Sequence, residues 1–279
     1  MKAIILNLSA WVMLPIMDGF AKYLSSDLPV LQITWARYFF TVAFTLPIMF
    51  FFFRKNLVWT DKPKLQLIRG LILLTANVCF FYSISIISLA KALTLAFIAP
   101  LIVTAFSPIF LGEKVGFRRW SAVIIGFIGS MVVIRPGFVE INLASIAAIG
   151  TGILYAFYII VTRKLHNSDH PLLTLLLTGV VGAIIGSLIM PIVWVQPSIT
   201  EWYMMFAIGF FASIGHLFLI LSLRFADASK LAPFGYFEIV TNIIIGYYYF
   251  NHLPDLFHFI GLFIIIASGI YIFKREASI

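Results

Sequence analysis

The sequence predicts an all-α membrane protein: ten transmembrane helices in two inverted five-helix repeats, with both termini cytoplasmic. Three observations carry this expectation. The 279 residues are 62% hydrophobic and 11% charged, with 29 Phe and a mean hydropathy of +1.06. That is more apolar residue than a water-solvated surface can carry. The chain divides almost completely into apolar runs of about 20 residues, the length that spans the hydrocarbon. Finally, the density of Lys and Arg alternates from one connection to the next.

The first run, 4–24, follows Lys2 as a signal peptide would, but it is too long and no small-residue cleavage site closes it. It reads as a spanning helix that stops at Ser25-Ser26-Asp27-Leu28-Pro29. The second, 29–53, holds one charge, Arg37. After Asp61-Lys62-Pro63 come 66–88 and then 91–111, which Pro100 and Pro108 break. The fifth, 118–135, ends at Arg135-Pro136-Gly137; the sixth, 141–163, runs to the turn Asp169-His170-Pro171. The seventh and eighth are 171–194 and 202–225. The ninth, 228–250, is broken by Pro233, and Leu253-Pro254-Asp255 leads into the tenth, 255–273.

Orientation follows from sorting the 19 Lys and Arg by side. One side receives Lys2, Arg54, Lys55, Lys62, Lys64, Arg69, Lys114, Arg118, Arg119, Arg163, Lys164, Arg224, Lys230, Lys274 and Arg275. The other receives Lys22, Lys91 and Arg135, and Arg37 lies inside the membrane. The basic side is cytoplasmic, so both termini are too. The same distribution explains the net charge of +8 as topology, with no nucleic-acid partner implied.

Several chemistries are not expected. Cys79 stands alone in an apolar segment and reads as a small buried hydrophobe. His166 and His170 have i, i+4 spacing, yet no Cys or Glu accompanies them, so no metal site is expected. The sequence contains no P-loop, no Gly-x-Ser-x-Gly and no His-Glu-x-x-His, so neither a nucleotide motor, nor a catalytic residue, nor a cofactor is expected.

The two halves echo each other. Ser88-Leu89-Ala90-Lys91-Ala92 and Phe225-Ala226-Asp227-Ala228-Ser229 each precede a proline-broken helix, a short loop and a Gly-bearing helix. Five helices per half forces opposite insertion, as in carriers whose sites lie at the repeat interface.

Three stretches of the first half carry a family likeness: Phe97-Ile98-Ala99-Pro100-Leu101, Leu111-Gly112-Glu113-Lys114-Val115-Gly116 and Gly126-Phe127-Ile128-Gly129. Together they resemble the first EamA-type repeat of the drug/metabolite transporter superfamily. Ala232-Pro233-Phe234-Gly235-Tyr236 and Ile265-Ile266-Ala267-Ser268-Gly269-Ile270-Tyr271 are similar to the same family, as are Asp18-Gly19-Phe20-Ala21-Lys22-Tyr23-Leu24 and Trp35-Ala36-Arg37-Tyr38. The resemblance implies ten helices, repeats at 1–138 and 139–279, and transport of small metabolites across a bacterial inner membrane. The second half departs from the family pattern, with Phe250-Asn251-His252-Leu253-Pro254 where the family commonly has Gly-Glu before Pro.

Charges inside lipid usually face a protein interior or a watery cavity. Asp18 and Arg37 lie roughly 9 and 12 Å below the outer surface at a rise of about 1.5 Å per residue. They could pair, as a structural salt bridge or as a gate or substrate-carboxylate contact that opens and re-forms; a snorkelling arginine is the remaining reading. His216 and Glu238 form a second couple toward the inner side. Polar stripes mark the faces that should line a shared cavity: Asn7, Trp11 and Asp18; Thr34, Arg37, Thr41 and Thr45; Thr151, Tyr155, Tyr158 and Thr162; Gly209, Ser213 and His216. Asn77 in mid-membrane, Tyr82 further out and Tyr236 beside Glu238 complete the candidate substrate-binding set. Gly126, Gly129, Gly182 and Gly186 fit close helix packing, which puts the fifth, seventh and tenth helices outside the cavity or at a subunit contact.

Mixed charges among aromatics suit an amino-acid-like zwitterion or an organic cation, carried by alternating access. The runner-up is broad-specificity multidrug-type efflux; less favoured is a membrane-embedded enzyme using the buried Asp, Glu and His as acid or base. Besides substrate and lipid, a proton and a second copy of the chain stay open as partners.

Overall fold

The computed structural model describes residues 1–53, 60–134, 142–250 and 255–277. Every regular element among them is helical. In order these are α1 (Lys2–Leu24), α2 (Val30–Phe53), α3 (Pro63–Ile86), α4 (Leu89–Ala96), α5 (Ala99–Leu111), α6 (Phe117–Ile134), α7 (Leu143–Lys164), α8 (Pro171–Val193), α9 (Ile199–Phe225), α10 (Ala228–Leu231), a 3-10 segment (Ala232–Phe237), α11 (Glu238–Phe250) and α12 (Leu256–Ala277). Six of them, α1, α2, α3, α7, α8 and α9, are long and apolar enough to cross a membrane. Arg54, Lys55, Arg135, Pro136, Gly137 and Asn251 to Pro254 lie outside the described residues.

The ends follow local chemistry. Ser198 opens α9 with a capping box, its hydroxyl accepting from Glu201 N–H while the Glu201 carboxylate accepts from Ser198 N–H. Asn142 caps α7 by accepting from Ser145 N–H. α5 stops at Gly112, whose φ of 68° is the left-handed conformation glycine adopts without strain.

The spans 91–111 and 228–250 are divided at Pro100 and Pro233 as expected, whereas Pro108, expected to break its helix too, lies inside the continuous α5. Pro100 sits in the first turn of α5, where its missing N–H costs nothing, and the chain breaks just before it. The Ala96 carbonyl at this break lies so close to α7 that a Cβ on Gly152 would come within 2.6 Å of it. Pro233 falls in the 3-10 segment, and regular α-helix resumes at Glu238.

The main helix partnerships are α1 with α9, α2 with α8, α3 with α7 and α6 with α12. Small residues set two of these seams. A Cβ on Gly182 would fall 2.3 Å from Tyr38 Cγ, and one on Gly186 3.0 Å from Trp35 Cδ1, so α8 receives the aromatic rings of α2 in glycine hollows. A Cβ on Gly129 would stand 2.9 Å from Ile265, closing α6 on α12. Outward faces carry exposed Phe39, Leu188, Ile192 and Phe263, the side chains a lipid solvent accepts.

Candidate functional site

A cavity opens among α1, α2, α3, α4, α5, α7, α9, α10, the 3-10 segment and the start of α11. Among the described residues, none of α6, α8 or α12 lines it.

Helical spacing builds the α1 wall. Asn7, Trp11, Leu14 and Asp18 recur at i, i+4, i+7 and i+11 and all face the space. The Trp11 indole N–H donates to Asn7 Oδ1 at 2.8 Å, and Asn7 Nδ2 donates to Ser222 Oγ at 3.3 Å, so the indole is held in one plane. The Tyr155 ring meets Trp11 edge-on at 6.2 Å, and Phe80 and Phe97 add apolar faces.

Arg37 reaches the cavity from α2 and is 2% exposed. Its Nη2 contacts His216 Nε2, its Nε donates to Met17 Sδ at 3.2 Å, and its guanidinium stands 4.9 Å from the Tyr38 ring centre. Nη1 is buried with no partner. The expected Asp18–Arg37 ion pair does not form; Arg37 turns to His216. Asp18, Arg37, His216 and Glu238 all line the cavity. Among the described residues, neither carboxylate, Asp18 or Glu238, forms a hydrogen bond or a salt bridge with a side chain.

Behind this wall lies a polar layer. Tyr158 is fully buried; its hydroxyl is 3.0 Å from His216 Nδ1 and accepts from Arg69 Nη2 at 2.8 Å. Arg69 is also fully buried. Its Nε donates to Thr162 Oγ1 at 2.7 Å, and its Nη1 donates to the Thr174 carbonyl at 3.0 Å and to the Thr178 hydroxyl. Neutral oxygens thus satisfy this cation with no carboxylate among them, and its face stacks 4.7 Å from the Tyr158 ring centre. Arg69 was counted above as a flanking charge. The signal for its burial was in the stripes that receive it, Tyr158 and Thr162 on α7 and Thr174 and Thr178 on α8, each spaced i, i+4.

The remaining candidates divide. Trp11, Asn77, Tyr155, His216 and Glu238 line the cavity. Asn77 Nδ2 donates to the Tyr38 hydroxyl at 2.7 Å, tying the wall to the ring that fills the Gly182 hollow. Tyr158 stands one layer back. Tyr236 is buried over Gly126, 5.7 Å from the Phe97 ring, and does not line the space. Tyr82 lies outside it: five residues after Asn77 on α3, it points about 140° away on a helix with about 3.6 residues per turn. Thr41 and Thr45 bond carbonyls one turn back on α2, and Ser213 Oγ donates to Thr41 Oγ1 at 3.2 Å, so these polar groups join helices.

A second cluster closes the far end of α5. Glu113 oxygens accept from Ala228 N–H and Ser229 N–H, both at 2.9 Å, and from Ser229 Oγ at 2.6 Å. Arg163 Nε lies 3.5 Å from Glu113, and Arg163 Nη2 donates to Asp227 at 2.9 Å; Arg119 Nη2 stands 3.5 Å from the other Asp227 oxygen. The motif acid of the first half thus caps α10 of the second.

A sequence profile of the EamA-like transporter family matches residues 1–135 and again 142–274. An S-adenosylmethionine uptake transporter of Rickettsia conorii is 28% identical over 93% of this chain and 88% of its own. A riboflavin transporter of Vibrio cholerae is 24% identical, covering 97% and 92%, and a pseudopaline exporter of Pseudomonas aeruginosa is 24% identical, covering 94% and 92%. One solved crystal structure superposes with a TM-score of 0.79 over 96% of this chain and 95% of its own; at 15% identity this is likeness of fold.

Proposed function

The chain belongs to the EamA-like transporter family, and on that premise we propose that it is a secondary carrier for a small metabolite, an amino-acid-like zwitterion or an organic cation. It works by alternating access in the bacterial inner membrane. One observation carries the ligand class. The cavity is lined by two carboxylates that form no hydrogen bond or salt bridge among the described residues, Asp18 and Glu238, and by two buried groups without hydrogen-bond partners, Arg37 Nη1 and the Tyr155 hydroxyl. Buried polar groups are normally satisfied, so orphans of both kinds in one space point to a guest that completes them. A cationic centre suits the carboxylates and the Trp11 face, and an anionic end suits the donors.

The architecture of this reading is ten spans, with α4 and α5 as the fourth and α10 to α11 as the ninth. Residues 1–138 and 139–279 form inverted repeats with cytoplasmic termini. The partnerships support it: advancing every span by five exchanges α1–α9 with α3–α7 and returns α2–α8 and α6–α12 to themselves. Two family matches, one per half, and the one-sided distribution of Lys and Arg support it as well.

The relatives' small-metabolite substrates favour this reading over multidrug-type efflux. The test is reconstitution in liposomes with labelled S-adenosylmethionine, amino acids and methylated amines, set against lipophilic dye cations. Saturable flux of a zwitterion or small cation supports the proposal. Flux of the dyes alone would replace it with the efflux reading. A proton is the further guest proposed for Asp18 or Glu238; flux indifferent to an imposed pH gradient at saturating substrate removes that part.

A further inference from the structure

His216 lies between two groups with fixed hydrogen-bonding roles. A guanidinium only donates, so the His216 Nε2 that meets Arg37 Nη2 must be the bare, accepting nitrogen. The ring hydrogen then resides on Nδ1, 3.0 Å from Tyr158 Oη, which takes it as acceptor. Tyr158 Oη accepts from Arg69 Nη2 as well, so both of its lone pairs are filled and the oxygen is pinned from behind. The opposite tautomer would set a His216 N–H against an Arg37 N–H.

We propose that Tyr158 and Arg69 are positioning residues of the cavity. Together they fix His216 in its Nδ1–H tautomer, and His216 in turn spends Nη2 of Arg37. With Nε spent on Met17 Sδ, Arg37 presents Nη1 alone. The fork that would grip a carboxylate by two parallel bonds is thereby reduced to a single-point donor beside Tyr155. Asp18 from α1 and Glu238 from α11 line the same cavity, and no hydrogen bond or ion pair joins either to the His216 ring. Only the step from Arg37 to a guest rests on the carrier reading; the tautomer does not.

The test therefore needs no substrate. The full chain is labelled with 15N-histidine, placed in lipid nanodiscs and examined by NMR, with His216→Gln used to assign the signals. The wild type is expected to show His216 with Nδ1 protonated and Nε2 bare. Tyr158→Phe removes the acceptor while keeping the ring, and should lower the ratio of that tautomer to the other by about fivefold, the worth of one ordinary hydrogen bond. Arg69→Lys should move the ratio in the same direction. Finding the hydrogen on Nε2 in the wild type overturns the proposal, and so does a His216 signal unchanged by Tyr158→Phe. Transport failing in the liposome assay while the tautomer holds would strike the carrier reading and leave this one standing.

Discussion

Arg37 and His216 meet through Nη2 and Nε2 inside the protein, while Asp18 stands in the same cavity without a salt bridge. The contact joins α2 to α9 and fixes which way a buried cation faces. Groups in direct contact couple by about 0.5–3 kcal/mol in double-mutant cycles. Thermal unfolding of Arg37→Ala, His216→Ala and the double variant should show coupling in that range. The cycle of Arg37→Ala with Asp18→Ala should show less. A larger Asp18 coupling would contradict the observed pairing.

Tyr155→Phe removes one orphaned donor and keeps the ring that meets Trp11. A hydrogen bond to a charged group contributes about 1.5–3 kcal/mol. The KM of a transported zwitterion should therefore rise by roughly tenfold or more, while that of the matching amine without its carboxylate should hardly move. Equal effects on both ligands would remove Tyr155 from the anionic end.

At the α2–α8 seam, Gly182→Ala would put a methyl into the Tyr38 ring. Overpacking of this kind costs about 1–3 kcal/mol, read as a lower Tm in detergent. Gly150→Ala on α7, where an added Cβ meets no atom within 4 Å, serves as the control and should leave Tm unchanged or raise it. The two substitutions are chemically identical, so a common response would show that helix propensity, not the seam, decides.

Glu113→Ala should loosen α10 locally. The amides of Ala228 and Ser229 lose their carboxylate acceptors, and an unmade buried bond costs about 1–3 kcal/mol. Hydrogen exchange at these two amides should accelerate by roughly tenfold, with α1 and α9 unaffected. Unchanged protection would mean that the backbone of α10 needs no cap.

His166 lies between α7 and α8. Burial first, then the neighbouring Arg163 guanidinium, hold its imidazole below the ordinary value of 6.5, against a hydrogen bond to the Arg163 carbonyl that pulls it upward. The unfolded chain then binds this proton more readily than the folded one. Stability is unaffected above about pH 6.5 and falls as pH drops below it. The NMR titration midpoint should lie below 6.5 in the native protein and rise in Arg163→Gln. A midpoint above 6.5 would reverse the sign.

The helices were legible because a membrane span needs length and apolarity, and both can be read along the chain. The starts and stops of α1, α2 and α8 follow the turn residues closely. The prolines announced two divided spans, yet not that one would part cleanly before Pro100 and the other wind as a 3-10 segment around Pro233, since that depends on what the freed carbonyls meet. The stripes on α1 and α7 located the cavity, as one face of a helix looks one way. Pairing was less legible. Rise per residue gives depth, while the partner of Arg37 depends on the azimuth of α2 against α1 and α9, which packing sets. Arg69 was hidden for a related reason: a charge one to two turns inside a helix end can as well reach water as turn inward, and only the threonines of two other helices decide.

The 3-10 segment of six residues, Ala232–Phe237, has a mechanical consequence. A 3-10 helix rises about 2.0 Å per residue and an α-helix about 1.5 Å. Rewinding all six residues would shorten this strut by about 3 Å. The pitch of the segment thus sets how far along the chain axis the start of α11, and with it Glu238, stands. A spin-label pair straddling it would report any rewinding as a change in length.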